Sequence, residues 1–171
     1  QWMSYGRTWS EQRFSPLKQI DEQSVSRLGL AWYDDLGTYR GVQATPLFVD
    51  GVLYNASVWN VVTAYDARNG RKLWTYDPKV GRERARLACC GPSTRGIAMW
   101  EGKLYIGALD GRLIAVDARN GRELCAHRLD DFGMAVPQQE YAVARAIEIA
   151  LAVVRRHIVA RRADLERASE Q

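Results

Sequence analysis

No run of about 18 apolar residues occurs in the sequence, so nothing reads as a membrane-spanning helix. Histidine is scarce. Only His127 and His157 are present and the acidic residues are not clustered, so neither a metal site nor a nucleophile-base-acid triad can be read. Cysteine is scarce too, and its count of 3 is odd, so one thiol stays unpaired if the other two join. Gln1 is not an initiator Met and no signal-peptide pattern comes before it, which reads as a mature product or a fragment. Concentrated charge of one sign is also missing: 24 Lys+Arg against 20 Asp+Glu give +4, with the arginines spread along the whole length. That pattern is a solvated surface and not a nucleic-acid footprint. What remains, 171 residues with 47% hydrophobic and 26% charged content, is a globular composition of roughly one domain's length.

What is present is one stretch used twice. Residues 61–74, VVTAYDARNGRKLW, return without a gap at 112–125 as RLIAVDARNGRELC, an offset of 51 that also brings Gly51-Val52-Leu53-Tyr54 onto Gly102-Lys103-Leu104-Tyr105. Each copy reads as a hairpin. A β-branched and apolar strand runs into Asp66-Ala67-Arg68-Asn69-Gly70, where Asp can bond its own turn backbone and Asn-Gly can take positive φ. A second strand leaves through Lys72-Leu73-Trp74. Upstream, 45–49 and 52–58 read as two further strands broken at Asp50-Gly51. Four short antiparallel strands recurring in tandem are the signature of a β-propeller blade.

Two motifs carry a family resemblance. Ala64, Asp66, Gly70 and Trp74 follow the pattern A-x-D-x-x-x-G-x-x-x-W, and residues 2–17 contain Trp2, Tyr5-Gly6-Arg7-Thr8 and Gln12-Arg13-Phe14-Ser15-Pro16-Leu17. The first resembles the tryptophan-docking motif, and the second the N-terminal segment, of the quinoprotein alcohol dehydrogenases, eight-bladed propellers carrying pyrroloquinoline quinone (PQQ). In that family the Trp of one blade packs beside the turn of the next. The second copy keeps Ala115, Asp117 and Gly121 but has Cys125 in place of the Trp, which weakens the last docking contact. Residues 28–34 match 71–77 in register, with Trp32 over Trp74, so they are expected to form the outer strand of a blade whose first three strands do not precede it.

The resemblance also implies site residues. Gln43, in Arg40-Gly41-Val42-Gln43-Ala44-Thr45-Pro46-Leu47, stands where family members usually have a cofactor-facing Glu; it keeps a hydrogen-bonding amide and loses the charge. As residues alone, this stretch is an ordinary strand entry. Adjacent Cys89 and Cys90 are by default two buried thiols. A bridge between neighbours is strained, because a trans peptide holds their Cα atoms about 3.8 Å apart, below the usual range of about 4.4–6.8 Å. The family nevertheless has such a vicinal disulfide against the PQQ plane, followed after four residues by Arg-Gly. Here Gly91-Pro92-Ser93-Thr94 leads to Arg95-Gly96, which places Arg95 on the family arginine. Its planar donor fork suits quinone oxygens or a carboxylate.

Past about residue 126 the resemblance stops. Ala144, Ile147, Leu151, Val154, Ile158 and Leu165 fall on one helix face, Arg155, Arg156, Arg161 and Arg162 flank it, and residues 138–168 lack Ser, Gly and Pro. Three readings of this helix stay open: a self-associating or coiled-coil segment, a basic amphipathic surface helix, and a foreign end left by truncation or frameshift. The expected fold class is therefore all-β with a long C-terminal α-helix. The expected division is a partial PQQ-repeat propeller over 1–127 (lead-in 1–40, blades 41–77 and 93–127), then a linker and amphipathic helix over 128–171. The resemblance implies periplasmic oxidation of primary alcohols to aldehydes, with PQQ and Ca²⁺ as cofactors and a cytochrome c as electron acceptor. The family's Ca²⁺ ligands and catalytic Asp base lie in blades not represented here, so the expectation is a truncated, inactive portion with no catalytic or metal-ligating residue. The alternative is a non-enzymatic propeller scaffold of the same repeat superfamily.

Overall fold

A computed structural model describes residues 1–8, 10–88 and 90–128. Eight strands form two sheets. β1 (Leu47–Val49), β2 (Val52–Ala56), β3 (Val62–Asp66) and β4 (Lys72–Tyr76) make the first. β5 (Ala98–Trp100), β6 (Lys103–Gly107), β7 (Arg112–Asp117) and β8 (Glu123–Arg128) make the second. Each is a four-stranded antiparallel meander in sequence order, as in part of a propeller.

The sequence repeat is a structural repeat at the level of single hydrogen bonds. Tyr54 pairs with Ala64 and Ala64 with Trp74 in the first sheet; Tyr105 pairs with Ala115 and Ala115 with Cys125 in the second. The register shifts between Ala64 and Tyr65, and again between Ala115 and Val116. At the β1–β2 reversal Asp50 and Gly51 have φ of 49° and 81°, and at the β5–β6 reversal Glu101 and Gly102 have 45° and 70°, the paired positive values that close a two-residue hairpin. The β3–β4 turn is closed by Asp66, whose Oδ1 accepts from the Arg68 N–H (3.0 Å) and whose carbonyl accepts from the Gly70 N–H (2.9 Å). Asp117 does the same for Arg119 and Gly121, each at 2.8 Å.

One apolar core joins the sheets. Tyr54, Ala56, Val62 and Ala64 of the first sheet cluster with Leu104, Ile106, Ile114 and Val116 of the second. Small alanines on β2 and β3 leave room for the larger aliphatics opposite, and Ala56, Leu104, Ile106 and Ile114 are all essentially sealed from water. Tyr54 crosses the interface to donate its hydroxyl to the Ala118 carbonyl at 3.2 Å.

The tryptophans complete the stacking. Trp74 donates its indole N–H to the same Ala118 carbonyl (3.1 Å), and its ring lies where a Cβ on Gly121 would be only 2.5 Å away. On the opposite face of the first sheet, Trp32 donates to the Ala67 carbonyl (2.9 Å) and lies against Gly70, where a Cβ would meet its ring at 2.6 Å. Ala67 and Ala118 are 51 positions apart, as are Gly70 and Gly121. Trp32 also stacks on Tyr65, with centroids 5.7 Å apart. The Tyr65 hydroxyl donates to Asp34 Oδ2 at 2.7 Å, and Lys72 pairs with the same carboxylate at 2.9 Å.

Two expectations are corrected. Among the described residues there is no α-helix, only 3-10 turns at Val25–Arg27, Val58–Asn60 and Arg82–Leu87, so the expected all-β fold with a helical tail becomes two four-stranded sheets. The apolar period over 144–165, and with it the expected self-association through 138–168, lies outside the described residues. A periodic pattern names a face but does not supply the packing that gives most protein helices their stability, and here the described core is built by strands alone. Residues 28–34 do not form the expected outer strand; no neighbouring strand offers them a ladder. Trp32 nevertheless reaches the turn that the register assigns to it.

Gly102 and Gly121 both have φ of +70°, yet a Cβ at Gly102 meets nothing within 4 Å. Gly102→Ala should therefore cost only the left-handed backbone term, about 1–2 kcal/mol. Gly121→Ala should add about 1–3 kcal/mol of overpacking against Trp74. Urea unfolding reads the difference as a lower midpoint for Gly121→Ala at unchanged slope; equal midpoints would remove the ring contact as a source of stability.

Burial, and then the bond to Asp34, raise the Tyr65 hydroxyl from its ordinary 10.0 to about 12. A raised value favours the neutral phenol in the folded state, so its contribution is complete below pH 10 and is lost as pH rises toward about 12. Thermal unfolding across that window should fall less steeply for Tyr65→Phe than for the parent chain, and identical slopes would exclude Tyr65 as a titrating group.

Candidate functional site

The site residues expected from the sequence sit at the entries to the two first strands. Gln43 lies in an irregular segment shortly before β1, and Arg95 in the corresponding segment before β5. The offset of 51 places Gln43 over Thr94 and Ala44 over Arg95, so both segments occupy the same position in their blades. Gln43, Cys90 and Arg95 are all exposed. Cys89 lies outside the described residues, and so does any bridge it makes. Arg95 forms no ion pair among the described residues.

The loop between Cys90 and Arg95 is fastened to the first sheet. The Trp59 N–H donates to the Pro92 carbonyl at 2.9 Å, and the Asn60 N–H to Thr94 Oγ1 at 3.1 Å. Pro92 and Thr94 are buried, while Arg95 next to them is exposed. Both donors sit in the connection from β2 to β3, where Trp59 and Asn60 have φ of 63° and 60°. That region is rare for Trp and better tolerated by Asn. The strain is held by what the corner grips: the Arg82 guanidinium lies 4.2 Å over the Trp59 ring, and the Asn60 side chain is fully bonded.

Asn60 and Thr94 were not singled out from the sequence, although the repeat carries a signal for one of them. In register, Asn60 stands over Gly111, whose φ is +86°; an Asn where the other copy has a left-handed Gly marks a strained corner. Basic groups border the same loop. Arg40 Nη1 would be 3.5 Å from a Cβ on Gly91, Arg82 covers Trp59, and Arg95 ends the segment. Among the described residues no three His, Cys, Asp or Glu side chains come together, so a divalent metal ion finds no donor set there. The arrangement is an exposed ledge bordered by the arginines Arg40, Arg82 and Arg95.

Residues 2–135 match the family described as glucose/ethanol/alcohol dehydrogenase, β-propeller domain, PQQ. The chain belongs to this PQQ dehydrogenase family. Within it, the chain is 50% identical over 146 residues to the quinohemoprotein alcohol dehydrogenase ADH IIB of Pseudomonas putida, covering 85% of this chain and 20% of that protein. It is 56% identical over 121 residues to ADH-IIG of the same organism, covering 71% of this chain and 17% of the relative. The crystal structure of the quinohemoprotein alcohol dehydrogenase from Comamonas testosteroni superposes with a TM-score of 0.74 at 44% identity, over 80% of this chain and 20% of that one. The chain thus spans about a fifth of the length of these PQQ dehydrogenases. Among the described residues no helix is long and apolar enough to cross a membrane.

Proposed function

We propose that this chain forms one wall of a PQQ site in a periplasmic alcohol dehydrogenase that oxidises primary alcohols and passes electrons to a cytochrome c. The observation that carries it is the loop from Cys90 to Arg95, pinned through Trp59 and Asn60 so that Arg95 stands exposed beside the entry to β5. The fit to the cofactor is chemical. PQQ is a planar quinone bearing carboxylates; Arg95 brings a guanidinium fork and Gln43 an amide, and the sequence pair Cys89-Cys90, joined as the family's vicinal disulfide, would lie against the ring. Bound PQQ supplies a quinone carbon able to accept a hydride. The chain's own residues bind and orient: Arg95 donates to oxygens at the ring edge, and Gln43 hydrogen-bonds without adding charge.

On this reading residues 1–127 are the propeller portion, with lead-in 1–40 and blades 41–77 and 93–127, and 128–171 are a separate segment. Trp32 on the 66–70 turn and Trp74 on the 117–121 turn are the docking contacts of that repeat. Hydride removal also needs a base within reach of the alcohol hydroxyl, and the ledge contains none. We assign no catalytic residue, and these residues alone are expected not to turn over alcohol.

Two measurements test the reading. After alkylation under oxidising conditions, mass spectrometry should find a single labelled thiol, at Cys125, which is free and exposed; three labelled thiols, or a bridge to Cys125, would overturn the vicinal pair. Titrating the full chain with PQQ and Ca²⁺, followed by tryptophan fluorescence, should show weak binding that Arg95→Ala reduces about tenfold, the worth of a charge-assisted hydrogen bond of roughly 1.5 kcal/mol. Dye reduction with ethanol should stay at background. Sustained turnover abolished by Arg95→Ala would show that the chain holds a complete active site.

A further inference from the structure

The turn bonds of the first blade recur 51 residues later, those of Asp66 at Asp117 and that of Ala67 with Trp32 at Ala118 with Trp74, but the bonds of Asn60 do not. At the equivalent position Gly111 has no side chain, and at the position equivalent to Trp59 stands Asp110, which pairs with Arg112 at 2.7 Å. Asn60 is therefore not part of the blade's repeated framework. It is 5% exposed, and all its polar atoms are engaged. Its Nδ2 donates to Thr94 Oγ1 (3.2 Å) and to the Gly107 carbonyl (3.1 Å), and its Oδ1 accepts from the Leu109 N–H (2.8 Å). Its backbone N–H also donates to Thr94 Oγ1, at 3.1 Å. Thr94 is 5% exposed and is the residue immediately before Arg95.

We infer that Asn60 and Thr94 are positioning residues: a buried amide-hydroxyl pair that fixes the Cys90-to-Arg95 loop, and so the Arg95 guanidinium, against the first blade and the β6–β7 connection. This rests on the proposed reading of Arg95 as a cofactor contact. The chemistry favours a fixed loop. A buried Asn with donors and acceptor all satisfied has one geometry, because any rotation orphans a polar atom away from water. The Thr94 hydroxyl accepts twice from one residue, so a displacement of the loop breaks both bonds together. The left-handed corner at Trp59 and Asn60 is the backbone shape that turns the amide toward the loop.

The test uses the full chain and four variants. Thr94→Val keeps the shape and removes the acceptor, Thr94→Ser keeps the hydroxyl, and Asn60→Gly keeps the left-handed corner and removes the amide. Gly102→Ala, at the β5–β6 reversal, where a Cβ meets nothing within 4 Å, serves as a control for general loss of stability. Hydrogen exchange read by mass spectrometry should be at least tenfold faster in peptides covering 90–97 for Thr94→Val and Asn60→Gly than for Gly102→Ala, with Thr94→Ser near the parent rate. Exchange equal in Thr94→Val, Thr94→Ser and Gly102→Ala would overturn the inference. In the same samples PQQ affinity should fall about tenfold with Thr94→Val and recover with Thr94→Ser; equal affinity despite a loosened loop would overturn the positioning role. If the parent chain binds no PQQ, the proposed function fails, and the exchange measurement still decides whether this pair holds the loop.

Discussion

The contact on which the rest of the structure depends is an indole laid flat against a glycine. Trp74 reaches from β4 to the β7–β8 turn, and its N–H closes on the Ala118 carbonyl while its ring fills the place a side chain at Gly121 would take. One residue thus does two jobs: it covers a turn that water would otherwise solvate, and it satisfies a carbonyl there. Because the hydrogen bond is directional and the ring contact is not, burial supplies the attraction and the N–H sets the register. The aliphatic core between the sheets then packs at the spacing that this contact allows. Tyr54 adds its hydroxyl to the same carbonyl, so two donors from the first sheet converge on one backbone oxygen at the β7–β8 turn.

The ledge at the strand entries inherits its rigidity from that core at one remove. Strands β1 and β5 are held by the hairpins that follow them, but the segments preceding them belong to no ladder. Their shape has to come from elsewhere. For the second blade it comes from the 58–60 corner, which spends strained dihedrals at Trp59 and Asn60 to aim backbone and side-chain donors at the loop. The cation over Trp59 and the sealed amide of Asn60 keep that corner from relaxing. The exposed Arg95, on an otherwise irregular segment, can then be held in place without a strand beneath it.

Much of the fold was legible because the repeat is local and nearly literal. Asp66-Ala67-Arg68-Asn69-Gly70 carries its own turn chemistry, and the offset of 51 predicted the second sheet from the first; the register shift that the two sheets share appears only in the structure. The tryptophan over the next turn was legible only through family resemblance, since no local pattern says what Trp74 touches. The strand assigned to 28–34 failed because strand propensity cannot be realised without a partner edge, whereas the reach of Trp32 depended on side-chain register alone. The Asn60–Thr94 pair was invisible for a different reason: its members are 34 residues apart and their bonds are made by tertiary placement. Only the Asn-for-Gly exchange with Gly111 hinted at a special corner. Gln43 and Arg95 were legible only through the family resemblance, and the anchoring of the loop before Arg95 had no signal in the sequence beyond that exchange.

The tryptophan contact also has a sense of direction. The first blade presents a plug, Trp74, on one side and a socket, Gly70, on the other, so copies of this kind join head to tail and never face to face. Such a heterologous joint does not terminate by itself; it ends only where rotation brings the final plug round to the first socket, or where a copy lacks a plug. The second blade is a copy of that kind. Its socket at Gly121 is filled, but where the plug belongs it carries the short, exposed side chain of Cys125, so a blade beyond it would have to be held by its apolar face without the indole latch.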